Sequence, residues 1–455
     1  MADPRFSWLL AEQLLVCPTC GVADAFTDSP DALACGACTT TVPIMSGVPD
    51  FFTGYVDDAD EPTKAADPAV VSEIATILEL PDEAAVRDGI AAALRLADRD
   101  TDSPALTAEI REVHVRFVGG DVIEPPLPAA ANGSAKAGIE RHYAPDGLVA
   151  GERRFINLRF RNTGDEPWSS RTTPVAITAA SRFHRRSFGR RSETAPTYTP
   201  LPIDIEPGRA ITLPIEVDVP TKTGDYQLEL GLFHHPQGFI DGAGVRLDVT
   251  VHDHEHPATR PVPSTVTYRE GLGDYGVDHR AANEIVDAAL DRFWPDTDRR
   301  IIEIGGSTHP QSWNHHRSEL VNIDISAPTL QLGALYDRYH DRSIVHLCAD
   351  AMRPPLAQGS WHAVTMFATL HHFPEPERLL DAAARLLRPD GFVAVMCEPT
   401  DTTLAHPGGR RDLLSGINEQ TFAVDEYVWM AEQAGLVVEQ AFDDGGSFKA
   451  ILRHG

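Results

Sequence analysis

The spacing of apolar residues changes along the chain, and the changes divide it. Phe6 to Val16 is mostly apolar and predicts a short amphipathic helix. Further on, Val70, Val71, Ile74, Ile77 and Leu78 recur at helical spacing, as do Val86, Ile90, Ala93 and Leu94, then Ile110, Val113 and Phe117. These predict about three helices. From about 138 to 254 the period shortens to two. Phe155–Phe160, Val175–Thr178, Ile211–Val217 and Tyr226–Leu232 alternate between turn signals at Asn162–Gly164, Pro207–Gly208 and Thr223–Gly224. Around seven short strands in ~100 residues predict an antiparallel sandwich. From about 275, buried strands alternate with helices. Strands are predicted over 300–304, 319–323, 344–348, 361–367, 392–397, 437–442 and 448–452, with helices over 281–293, 375–387 and 425–434. That alternation predicts a mostly parallel α/β sheet with helices on both faces and ligand at the carboxyl ends of its strands. Proline-rich stretches at 119–137 and 255–264 read as linkers. The expected units are 1–55, a helical connector with linker at 56–137, a β-sandwich at 138–254 and an α/β unit at 265–455.

Composition narrows the classes. The chain has 455 residues, 42% hydrophobic and 23% charged, which suits a soluble protein of several domains. Its 67 acidic and 39 basic side chains give a formal charge of −28, and only four of the cations are lysine. Broad electrostatic binding to nucleic acid or an anionic membrane is disfavoured. The charge is uneven. Residues 50–112 hold 16 acids and 5 bases, whereas Arg182, Arg185, Arg186, Arg190 and Arg191 fall within ten residues. That basic segment could meet an anionic glycan through bidentate contacts, or it is a solvated hairpin neutralising an acidic neighbour. No stretch approaches the ~20 apolar residues of a spanning helix. Asp3 and Glu12 spoil a signal peptide, and four of six cysteines are clustered, so a cytoplasmic protein is expected.

The cluster is Cys17-Pro-Thr-Cys20, fourteen residues, then Cys35-Gly-Ala-Cys38. Four thiolates close a tetrahedron around zinc and leave no position for substrate, so such a site is structural. Two disulfides are the alternative. With the exit segment Val42-Pro-Ile-Met-Ser-Gly-Val-Pro-Asp-Phe-Phe52, residues 7–53 resemble the Trm112-like zinc ribbon, which accompanies methyltransferases. In the sandwich, Asn162-Thr-Gly-Asp-Glu-Pro-Trp168, Pro207-Gly208 and Val219-Pro…Gly224-Asp-Tyr226 resemble immunoglobulin-like modules of polysaccharide-processing and export proteins. That resemblance implies glycan binding or a spacer. Trp168 is read as a core residue, with sugar stacking as the other option.

In the last unit, Gly305-Gly306-Ser307 follows the first strand, and Asp324 ends the second, nineteen residues after Gly305. A glycine turn and an acid able to accept ribose hydroxyls suit any adenosine-bearing cofactor. Three further features discriminate: Glu303 two residues before the glycine, Ala349-Asp350-Ala351 after the third strand, and Ser360-Trp-His-Ala-Val-Thr-Met-Phe-Ala-Thr-Leu-His371-His372-Phe followed by Leu-Leu-Arg-Pro-Asp-Gly391. Residues 275–454 resemble class I S-adenosylmethionine-dependent methyltransferases of the small-molecule kind. The resemblance implies that Glu303, Gly305 and Gly306 bracket the methionine part. It places the ribose at Asp324, with Ile325 beside it, and the adenine at Asp350 and Ala351. Met366 and Phe367 would line the methyl-donor side. Ser307 and His309 stand where the family often has glycine, and the loop 308–318 is compact and polar.

Methyl transfer to oxygen needs a base for the acceptor's proton. His371, His372 and Glu398 are the candidates, and Gly416–Gln420 a candidate acceptor loop. The expected activity is O-methylation of a sugar or glycan-linked acceptor. Its rivals are methylation of another small molecule such as a secondary metabolite, a translation-related methylation that the charge disfavours, and a glycan-binding scaffold with an inactive methyltransferase domain.

Overall fold

The computed structural model describes residues 6–51, 136–253 and 275–455, apart from 24, 30, 46, 146, 170–176, 188–189, 202–204, 206, 209, 236, 326, 374, 402–419 and 444–446. The predicted connector helices, both linkers and residues 416–419 of the candidate acceptor loop lie outside the described residues.

The amino-terminal unit holds α1 (Ser7–Ala11) and four short strands, β1 (Phe26–Asp28), β2 (Ala32–Cys35), β3 (Thr41–Met45) and β4 (Val48–Pro49), paired in that order. The helix is shorter than expected. Gln13 has a φ of 58°, which breaks it, and Leu14–Val16 continue as extended chain. There the Val16 N–H donates to the Pro355 carbonyl at 3.0 Å, and the Ala357 N–H to that of Leu14 at 2.8 Å. At the other end of the unit the Phe51 N–H donates to the Cys348 carbonyl at 2.8 Å. Backbone pairing outweighs helix propensity here, because it lets Leu14 and Leu15 enter the α/β unit's own core. Phe6, Leu9, Leu33, Val42 and Phe51 enter the same core.

Next come β5 (Ala137–His142), β6 (Leu148–Val149), β7 (Arg153–Asn162), β8 (Ile177–Ser187), β9 (Arg190–Glu193), β10 (Thr197–Pro200), β11 (Ala210–Asp218), β12 (Gly224–His234) and β13 (Gly238–His252). They form two sheets, β11-β7-β5 and β10-β8-β12-β13-β6 with β9 on β8, antiparallel except for β13 with β6. Alternate residues of both sheets, among them Ile156, Leu158, Leu213, Ile215, Leu228 and Leu230, share one core. Trp168 is only 1% exposed and belongs to that core. The Asn162–Gly164 turn is built by a side chain. Asn162 donates to the carbonyls of Glu166 and Ile205, both at 2.8 Å, and accepts the Gly164 N–H at 3.0 Å.

On the outer face of the larger sheet, Glu229 sits across the strands from Arg182 and Arg246. It accepts from Arg182 at 2.6 Å, Arg246 at 2.7 Å and His184 at 2.9 Å. Burial pushes its carboxyl up, but these three partners outweigh burial and hold it down to about 2. A depressed acid stabilises the fold above its unfolded pKa and loses that contribution as pH falls towards the folded value. Thermal unfolding should therefore lose stability between about pH 4.5 and 2. Glu229→Gln should flatten that limb; an unchanged acid limb would refute the assignment. Of the basic segment, Arg182 is also paired with Glu193, and Arg185 lies over the Tyr226 ring.

The last unit comprises α2 (Tyr275–Phe293), β14 (Arg299–Ile304), β15 (Ser318–Asp324), α3 (Ala327–Tyr339), β16 (Ile344–Cys348), β17 (Trp361–Phe367), α4 (Pro376–Leu386), β18 (Leu387–Pro399), α5 (Val424–Gln433), β19 (Leu436–Asp443) and β20 (Ser447–His454). Its sheet runs β16-β15-β14-β17-β18-β20-β19, parallel except for β20. Strand order reverses between β14 and β17, and a ligand cleft opens at such a switch point. Helix α3 has no counterpart in the sequence reading, and α2 begins six residues earlier than predicted. Residues 388–391, expected to be a turn closing α4, are already part of β18. Among the described residues no helix is long and apolar enough to cross a membrane.

Candidate active site

Three loops meet at the carboxyl ends of β14, β15 and β17. Gly305 follows β14 with φ +75°, and its N–H donates to the Ile323 carbonyl at 2.8 Å. A Cβ there would lie 2.4 Å from the Thr369 side chain, so glycine is needed because Thr369 fills the space. A Cβ on Gly306 would press on the side chains of Asn322, Pro310 and Glu303. The glycine turn is thus packed tightly by the protein itself.

Glu303 is 1% exposed. Its two oxygens accept the backbone N–H groups of Gln311 and Ser312, each at 2.7 Å. Burial raises its pKa against those bonds. Glu303 therefore anchors the 308–318 loop, a single 3-10 turn at Gln311–Asn314, from beneath. Asp324 ends β15 and accepts the Ser307 N–H at 3.1 Å. Ile325, beside it, is 42% exposed. Across the rim, Asp350 accepts the Met352 N–H at 2.9 Å and lies 3.4 Å from the exposed Arg353, while Ala351 is buried. Asp324 and Ile325 at the end of β15, and Asp350 and Ala351 just after β16, thus share the rim of adjacent strands. Met366 is sealed in the core, and Phe367 faces the opposite layer, stacked on His279.

The turn after β17 is held by a single carboxylate. Glu398, wholly buried, accepts the N–H groups of Thr369 and Leu370 at 2.9 Å on one oxygen. The other accepts the His371 N–H at 3.0 Å and approaches its Nδ1 at 2.8 Å. A carboxylate only accepts, so Nδ1 carries the proton in that bond. Both oxygens of Glu398 are committed inside the protein. Glu398 thus ties the backbone of the turn and the His371 ring together from inside the protein. The half-buried His372 ring lies against that of His371, with centroids 4.1 Å apart and the planes tilted by 39°.

The sequence reading did not single out the support of α2. Lys449, with no exposed surface, pairs with Asp278 at 2.6 Å and donates to Ser447 at 2.8 Å. Ser447 donates to Asp278 in turn, at 2.7 Å. The cluster pins the first turn of α2 beside Cys397, whose thiol is pushed up by burial and by Asp278. A lysine in a chain whose cations are nearly all arginine was the available signal.

In the amino-terminal unit, the four sulfurs of Cys17, Cys20, Cys35 and Cys38 lie within 4.8 Å of one another. The Cys17–Cys38 and Cys20–Cys35 separations are both 3.7 Å. Zinc–sulfur bonds of ~2.3 Å give tetrahedral edges of ~3.8 Å, so the donor set and spacing fit that ion. A cavity of about 730 Å³ lined by Glu12, Arg300, Glu319, His362 and Arg388 lies at the amino ends of the strands, remote from these groups.

Residues 304–395 match the family model described as a methyltransferase domain. The 27-O-demethylrifamycin SV methyltransferase of Amycolatopsis mediterranei (strain S699) is 29% identical over 153 residues, covering 32% of this chain and 56% of that protein. The chain thus spans little more than half the length of that relative. Among solved structures, a mitomycin 7-O-methyltransferase is 17% identical with a TM-score of 0.32, covering 39% of this chain and 54% of its own. The YcgJ protein of Bacillus subtilis is 14% identical with a TM-score of 0.32, covering 39% of this chain and all of its own. The carboxyl-terminal unit of the chain carries a methyltransferase domain.

Proposed function

We propose that the chain is an S-adenosylmethionine-dependent O-methyltransferase acting on a sugar or glycan-linked hydroxyl, with structural zinc on Cys17, Cys20, Cys35 and Cys38. The carrying observation is the buried Glu398–His371 pair at the carboxyl ends of β17 and β18, beside the switch point of the sheet. The acids on the rim suit the cofactor's donor pattern. Asp324 would hold the ribose hydroxyls, Ile325 and Ala351 the faces of the adenine, and Asp350 its amine. Glu303, Gly305 and Gly306 shape the loop beside the methionine part. When bound, S-adenosylmethionine supplies an electrophilic methyl group on a sulfonium.

The chain's own residues prepare the acceptor. The hydroxyl proton passes to Nε2 of His371, which keeps its Nδ1 proton, and Glu398 accepts that Nδ1–H and stabilises the resulting imidazolium. His372 borders the same turn and shields it from solvent. The four cysteines are all used as metal ligands, so the zinc supports the fold and takes no part in transfer. The glycan acceptor is supported by the fused sandwich and its likeness to glycan-handling modules, which is an argument by analogy. Acceptance of a secondary metabolite is the second reading, favoured by the rifamycin relative.

Calorimetry with S-adenosylmethionine should give saturable binding that Asp324→Ala weakens at least tenfold. Absence of binding by the unaltered protein would overturn the enzyme reading and favour a glycan-binding scaffold. S-adenosylhomocysteine release across a panel of glycans and hydroxylated small molecules then separates the two acceptor classes.

A further inference from the structure

The turn that carries His371 is held from outside its own domain. Gln420, 3% exposed, donates from Nε2 to the carbonyls of His371 at 3.0 Å and Phe373 at 2.7 Å. The next residue, Thr421, accepts at its carbonyl from Nδ2 of Asn157 at 2.8 Å. Asn157 is 1% exposed and lies on β7 of the sandwich. Its amide also reaches Glu426 at 3.2 Å, and Glu426 takes Arg141, another sandwich residue, at 3.0 Å. Arg141 grips Glu377 in the first turn of α4, just after the His371 turn. Arg154 and Tyr143 both bind Asp425.

Burying these charges and amides is costly unless each is partnered. A tethered spacer needs none of them, and joined domains usually share a wetter and looser contact. The contacts converge on the chain flanking the candidate base, and misplacement by ~1 Å can cost ~10²-fold in rate. We infer that the sandwich is a positioning part of the methyl-transfer site. Asn157 acts through Thr421 and Gln420 to fix the turn that presents His371. The catalytic meaning rests on His371 being the base, whereas the coupling itself does not.

The test uses the full chain with isotope-labelled histidine, the His371 ring being assigned by its loss in His371→Gln. Its Nδ1 proton, held against buried Glu398, should exchange slowly with water. Asn157→Leu should speed that exchange at least tenfold, while Arg161→Ala, on the same strand but solvent-facing, should leave it unchanged. If Asn157→Leu does not fold, Gln420→Glu removes the donor with little change of shape and should act alike. Unchanged exchange in the variant that folds would overturn the inference. Calorimetry with S-adenosylmethionine on the same proteins keeps the outcomes apart. Failure of the unaltered chain to bind it would sink the enzyme reading and leave the coupling to be decided by exchange.

Discussion

Glu398→Gln should lower methyl transfer by about 10²–10⁴-fold while cofactor affinity stays within a few-fold. Glutamine keeps one acceptor oxygen but replaces the other by an amide donor. Four hydrogen bonds now converge on two carboxylate oxygens, three from backbone N–H groups and one from the His371 ring. If the amide faces the ring, His371 must offer Nδ1 as acceptor, so the proton moves to Nε2, which can then no longer take one up. If it faces the backbone, N–H groups oppose it and the turn opens. Either way the proposed base is disabled with the fold largely retained. Glu398→Ala is harsher, because it strands three buried N–H donors at ~1–3 kcal/mol each. It should cost enough stability to show as a lowered melting temperature. The check is S-adenosylhomocysteine formation on the best acceptor from the panel. A glutamine variant with unaltered turnover would remove His371 from the mechanism.

Loss of the proposed zinc should have a comparably large effect, on stability. Metal binding in small thiolate sites contributes ~10–16 kcal/mol of folding energy. Here the loss would not stay local. Leu9, Leu14, Leu15, Leu33 and Val42 are buried in the core beneath the methyltransferase sheet. Each fully buried side chain of this kind is worth ~1.5–3 kcal/mol. A chelator, or Cys35→Ser, should therefore lower the unfolding temperature of the whole carboxyl-terminal unit by more than about 10 °C, given ~2–4 °C per kcal/mol at this size. Scanning calorimetry with elemental analysis for zinc is the measurement. A methyltransferase transition unmoved after complete metal removal would show that the amino-terminal unit is a passenger.

The sequence revealed what rests on short-range pattern. The strands β14 to β17 read as buried runs because parallel strands are covered on both faces, and the cysteine spacing brought four sulfurs together. Helix α3 carries Pro328 and Gly333, both poor helix formers, so local propensity does not mark it. Gly333 is there because a Cβ would lie 2.7 Å from the Thr308 carbonyl, a contact between elements distant in the chain. The partners of Glu398 lie 27 to 29 residues away along the chain, beyond the reach of local pattern. The grip of Asn157 on Thr421 spans 264 residues and leaves no trace in local periodicity. Long-range polar contacts of this sort decide how a site is held, and only the folded chain displays them.

The pairing of Leu14–Val16 with residues 355–357, and of Phe51 with Cys348, also sets a timetable. During synthesis the amino-terminal unit emerges roughly 300 residues before the strand it must join. At ~5–20 residues per second that is a wait of about 15–60 s. Throughout that interval Phe6, Leu9, Leu14 and Leu15 have no sheet to cover. Early metal capture would fix the shape of the small unit during the wait and keep its greasy side from finding a neighbour on another nascent chain. Cells short of zinc should then accumulate aggregated nascent protein before any mature enzyme is lost.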